Sequence, residues 1–199
     1  MISNVFATIF TPHKQWQSIA GNPPASIASP LLYTMTLAII PAVAWFYGST
    51  RIGWTIGDGD IIRLTADSAL TMMVLFYLAM IGCVAFVGYM IHWMSITYGA
   101  NSTIAKGITI TTCAATPLFL SGLCGFYPQF WITLSLGLVT ISYGVYLLYT
   151  GIPIVMNIPE ERGFLFSSAV VGVCLVILIS LMGATVILWD MGAAPSFTD

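Results

Sequence analysis

Five long apolar stretches alternate with short polar ones along this chain. Each is long enough for a helix that crosses the roughly 30 Å hydrocarbon core of a bilayer, which takes about 20 residues. They run from about Ile27 to Tyr47, Asp67 to Trp93, Thr103 to Phe126, Gln129 to Tyr149 and Phe164 to Trp189. Aromatic residues collect at their ends, with Trp45 and Tyr47, Trp93 and Tyr98, Phe126, Tyr127 and Trp131, Tyr146 and Tyr149, and Trp189. Amphipathic rings at those positions sit at headgroup level. The pattern predicts an all-α fold, an integral membrane bundle of five transmembrane helices.

Ahead of the spans the period changes. Met1, Ile2, Val5, Phe6, Ile9 and Phe10 recur at helical spacing, and Thr11 followed by Pro12 reads as a cap with proline at the first helical position of a second short helix carrying Trp16 and Ile19. No positive segment precedes the apolar residues, and Pro12, His13 and Lys14 interrupt them, which is not the layout of a cleaved signal peptide. Residues 1–25 are therefore expected to form an amphipathic segment at the cytoplasmic interface. Residues 26–190 form the five-span domain, and 191–199 a short tail on the outer face.

Charge sets the direction. Only five Lys or Arg and seven Asp or Glu occur in 199 residues, all at or near span edges. With the N-terminus inside, Lys14, Lys106 and Arg162 lie on the cytoplasmic side and Arg51 and Arg63 on the outer side, so the excess of basic residues favours that orientation. Composition agrees with the class: 58% of residues are hydrophobic, against the roughly 45–50% of soluble domains, and the mean hydropathy is +0.96. A net charge of -2 gives no basic field for nucleic acid. Cys83, Cys113, Cys124 and Cys174 fall inside spans and form no paired motif, which argues against a disulfide framework or a zinc site.

The spans hold hydroxyls rather than acids and bases. Pro41 in the first span and Pro117 in the third each remove a backbone hydrogen bond, at the carbonyls of Leu37 and Cys113, and kinks are expected there. Around Pro117 stand Thr109, Thr111, Thr112, Thr116 and Ser121, whose hydroxyls can return bonds to the backbone. Thr109, Thr112, Thr116, Pro117 and Ser121 are the candidate polar path. Small residues four apart at Ala79 and Cys83, Ser168 and Gly172, and Ser180 and Ala184 mark faces where helices can approach closely. His92, Lys106, Asn157, Glu160 and Arg162 would all fall at the cytoplasmic edge, as a candidate patch in which His92 could sense pH. Pro159 with Glu160 and Glu161 also makes an ordinary helix start, complementing the positive end of the helix dipole. In the outer loop Gly57, Asp58, Gly59 and Asp60 read as a turn, since the further oxygen ligands of a calcium loop are missing. No catalytic triad, paired carboxylate or metal set stands at membrane depth, and no cofactor is implied.

Several segments taken together resemble a known family. They are Phe10 to Ile19 with Pro12 and Trp16, His92 and Trp93, Tyr98 to Asn101, Lys106 to Leu123 around Ala115, Thr116 and Pro117, and Tyr143 to Gly151. In order and spacing, across nearly the whole chain, they resemble the bacterial inner-membrane members of the Yip family, five-span proteins named for interaction with Ypt/Rab GTPases. The resemblance implies five spans and a cytoplasmic N-terminus. It does not imply Rab binding, because the longer acidic N-terminal region of the eukaryotic relatives is missing and their double glycine appears only as Gly99 and Ala100. It assigns no catalytic or binding residue. The expected function is that of a non-enzymatic scaffold, adaptor or lipid-organising protein, with membrane lipid, other membrane proteins or a second copy as partners. The alternative is a small channel or transporter for a neutral solute or lipid along the third span.

Overall fold

The structure, a computed structural model, describes residues 7–55 and 61–198. Met1, Ile2, Val5 and Phe6 and the Gly57 to Asp60 turn lie outside these residues. Among the described residues six α-helices of ten residues or more follow one another: α1 Pro12–Gly21, α2 Ala28–Tyr47, α3 Ala66–Ser95, α4 Ile104–Ser121, α5 Phe130–Met156 and α6 Glu160–Leu188. Residues 7–10 are helical as well. The last five helices, α2 to α6, are long and apolar enough to cross a membrane. Among the described residues the only β pairing is two isolated bridges, Trp54 with Ile62 and Leu64 with Phe197.

The helices begin and end where local chemistry allows. Thr103 caps α4, its hydroxyl accepting from the Lys106 amide at 3.2 Å. Pro12 opens α1, but the Thr11 hydroxyl donates back to the Ala7 carbonyl at 3.3 Å rather than capping. Asn157 closes α5 in the left-handed conformation, φ 52°, a role asparagine tolerates better than most residues. Pro159 then precedes α6, with Glu160 and Glu161 in its first turn. The fourth span runs beyond the belt residue Tyr149. It continues through Pro153 to Met156, and α6 begins four residues before Phe164. Ile152, Ile154, Val155 and Met156 keep the added residues apolar, and the helix ends only where Asn157 turns the backbone.

Helix α4 sits at the centre, packed against α2, α3 and α5; α6 lies on α5 and α3, and α1 lies on α5. Glycines allow the close approaches. A Cβ on Gly107 would strike the Gly88 carbonyl, and one on Gly88 would stand 2.6 Å from the Ile108 Cα, so the α3 and α4 backbones touch. A Cβ on Gly122 would enter the Pro41 ring, and one on Gly163 would lie 2.6 Å from Pro153. These seams differ from the small residues four apart named above. Gly172 has nothing within 4 Å of its Cβ position, and Ser180 and Ala184 are exposed. Close contact here depends on one glycine facing a glycine or proline of the neighbour, which spacing along a single helix does not encode.

The N-terminal helix packs its apolar face on the bundle. Trp16 is fully enclosed and Ile19 is buried, and a Cβ on Gly151 of α5 would lie 2.7 Å from the Trp16 ring. The apolar face of α1 meets protein rather than headgroups, because a glycine on α5 leaves a flat place for an indole. His13, Lys14, Gln17 and Ser18 face outward.

Candidate functional site

The threonines of α4 are the most concentrated polar feature inside the bundle. Thr112 and Thr116 are almost fully enclosed and Thr111 is buried, whereas Thr109 and Ser121 are partly exposed. Every one of these hydroxyls bonds back along its own helix: Thr109 to Ala105, Thr111 to Gly107, Thr112 to Ile108, Thr116 to Thr112 and Ser121 to Leu118, at 2.7–3.0 Å. The Thr116 bond falls on the carbonyl next to that of Cys113, which Pro117 leaves without its usual amide partner. Thr34 of α2 completes the group. Its hydroxyl lies 2.7 Å from that of Thr112 and 3.0 Å from the Pro30 carbonyl, so one of the two threonines donates to the other and the second to its own helix.

Further hydroxyls that no sequence pattern marks surround this group. Tyr33, one residue before Thr34, turns its buried hydroxyl toward Thr116 without closing a hydrogen bond. Thr8, almost fully enclosed, brings its side chain to the Cys113 thiol. The Tyr143 hydroxyl of α5 donates to the Ile9 carbonyl at 2.6 Å. Cys113 and Tyr143 lie midway along α4 and α5, so residues 8 and 9 reach the middle of the bundle. Hydroxyls at Tyr33, Thr34 and Tyr143 inside otherwise apolar spans were the available signal.

At the α1 end the five patch residues stand at the ends of four helices. His92 stands in the last turn of α3, its Nδ1 buried and without a hydrogen-bond partner. Lys106 opens α4, Asn157 ends α5, and Glu160 and Arg162 open α6. Arg162 lies over the turn between α3 and α4, where a Cβ on Gly99 would be 2.8 Å from a guanidinium nitrogen. That glycine has φ 74°, a left-handed conformation in which other residues are strained. Beside it Tyr98 stacks on Phe166, with centroids 4.8 Å apart and planes 5° from parallel. The turn thus lies beneath the Arg162 guanidinium and is packed against α6 by the Tyr98–Phe166 stack.

A cleft of about 1250 Å³ opens at the other end of the bundle, between the turn after α2 and the first three turns of α5. Its rim carries Trp45, Trp54, Tyr127 and Trp131, and its wall runs down to Leu138 and Ile141. None of the candidate path residues lines it. The C-terminal tail covers the loop at this end: the Thr65 amide donates to Ser196 and the Thr198 amide to Arg63, both at 3.0 Å, and Phe197 meets Trp54 edge to face. Among the described residues no three His, Cys, Asp or Glu side chains come together as a metal site.

Five membrane-crossing helices around a closed third span, with a preceding helix docked on the fourth, define a polytopic membrane protein. The family model for the Yip1 domain matches residues 6–181, and the chain belongs to that family. It is 41% identical over 160 residues to the inner membrane protein YohC of Escherichia coli strain K12, an alignment covering 80% of this chain and 82% of that protein. The inner membrane protein YohC of E. coli O6:H1 matches to the same extent. No solved structure matches the chain.

Proposed function

We propose that this protein is a non-enzymatic scaffold or adaptor of the bacterial inner membrane, one that organises lipid and neighbouring membrane proteins, with its N-terminus in the cytoplasm. The observation that carries this reading is the closure of α4. Its buried threonines are spent on their own backbone and on Thr34, and the Gly88 to Gly107 contact brings two backbones together with no room between them. A permeation path needs polar groups that face a water-filled space. Carboxylates that would carry protons through the spans are absent from the sequence there. What such a protein offers is surface, namely the outward face of α1, the patch around Arg162 and the lipid-facing sides of α5 and α6.

The test is flux and association together. Proteoliposomes containing the full chain should pass small neutral solutes and fluorescent lipid no faster than empty liposomes, and cross-linking in native membranes should capture a second copy or a recurrent membrane partner. Flux above background that disappears in Thr112→Val and Thr116→Val would replace this reading with the channel. A lone monomer in every membrane preparation would remove it.

A further inference from the structure

The cleft beside α5 has the dimensions and chemistry of a site for one membrane lipid. From Phe130 at its mouth to Ile141 at its foot it follows eleven residues of helix, about 16 Å at 1.5 Å per residue. That is about half of a roughly 30 Å hydrocarbon core, the depth of one leaflet. Its volume, about 1250 Å³, exceeds the ~300–1,000 Å³ of usual small-molecule sites. Its polarity is graded in the same direction. The indoles and phenol of the rim belong at headgroup level, whereas Leu134, Leu138 and Ile141 offer only hydrocarbon.

Two details make this more than an exposed helix face. Gly137 lies on the wall, and a Cβ placed there meets nothing within 4 Å, so the cleft continues over the backbone itself. At the mouth, Arg63 donates through Nε to the carbonyl of Ile52, a wall residue, at 3.4 Å. Arg63 does not itself line the cleft, but this bond and its exposure set the guanidinium beside the mouth, within reach of a phosphate at headgroup level. Guanidinium recognises phosphate through paired N–H donors.

We infer that the cleft holds one glycerophospholipid of the leaflet on this face, its acyl chain along α5 over Gly137 and its phosphate at Arg63. The full-length protein, reconstituted in vesicles of phosphatidylethanolamine and phosphatidylglycerol and extracted in mild detergent, should retain one phospholipid mass per chain in native mass spectrometry. Gly137→Phe, whose Cβ would meet nothing within 4 Å and whose ring would occupy the cleft, should retain none, and Leu134→Trp on the same wall should act alike if the first variant folds poorly. Arg63→Gln should weaken retention of both phospholipids about two- to fivefold, the range of one exposed ion pair. Equal retention by wild type and a folded filled variant would mean annular lipid only and overturn the site. So would a wild type that retains no lipid, or a second copy of the chain whose association Gly137→Phe abolishes.

Discussion

The two halves of α5 and α6 are built from similar residues and live in opposite surroundings. Toward α1, Leu147 and Ile152 of α5 and Phe166 and Val170 of α6 are completely enclosed. Toward the loop end, Leu138 and Val139 of α5 and Val176 and Ile179 of α6 are 59–69% exposed. Leucine, isoleucine and valine serve both. In water the difference would be read from the residues themselves, but lipid tails are as apolar as leucine and put no chemical mark on the outward side. What separates the halves is the neighbour. The enclosed half of α5 has α1 packed on it, with Gly144 and Gly151 admitting close partners, whereas nothing lies within 4 Å of the Cβ positions of Gly137, Gly172 and Gly183 in the open half.

Glycine substitutions break this comparison most sharply. Gly107→Leu must drive a side chain into the Gly88 backbone, which cannot move aside as a flexible side chain could, so a loss of about 3 kcal/mol or more is expected. It should read as lost folded protein in detergent extracts or a greatly lowered midpoint in SDS unfolding. Gly183→Leu, a change of equal size in the open half, should stay within about 0.5 kcal/mol of wild type by the same measurement. Equal effects at the two sites would mean that the halves do not differ as described.

The helix that closes the inner half comes next in size. Trp16→Ala removes an indole that sits over Gly151 and should cost about 3–5 kcal/mol by unfolding, the usual range for a large enclosed ring. Trp131→Ala, at a ring 74% exposed on the rim of the cleft, should leave the unfolding midpoint nearly unchanged. The smallest effect expected is at the hydroxyl contact between α2 and α4. A double-mutant cycle of Thr34→Val and Thr112→Val should give a coupling of about 0.6–2 kcal/mol, the range of hydrogen bonds between membrane helices. A coupling near zero would mean that the two hydroxyls are satisfied by their own carbonyls alone.

The number and order of the spans were legible because length and hydropathy are what a bilayer demands, and belt residues such as Trp45 and Trp189 fixed their ends. The fourth span shows where that reading stops. Tyr149 reads as a belt residue at its end, yet the helix runs on through Pro153 to Met156, because Ile152, Val155 and Met156 continue the apolar run and are buried in the same cluster as Trp16. Trp16 and Ile19 were legible as one face of a short helix, but not their partner. Gly151, 135 positions away, is an ordinary glycine in the sequence, and only the fold sets it under the indole. The α4 threonines stood out as a group. Tyr33 and Thr34 on the neighbouring helix did not, since single hydroxyls scattered through apolar runs carry no period. The graded cleft was beyond reach for a similar reason: its walls come from α2, the loop and α5, and no one of them is unusual alone.

The contact between Trp16 and Gly151 also bears on how the molecule comes to be made. Residues near the N-terminus leave the ribosome first, yet the surface that receives Trp16 and the Tyr143 hydroxyl that bonds to Ile9 do not exist until the fourth span has been synthesised and inserted. For most of translation α1 has no site on the bundle and must wait outside it. A nascent chain arrested before Gly151 should leave the indole open to a water-soluble quencher, and one arrested after α5 has cleared the insertion machinery should conceal it.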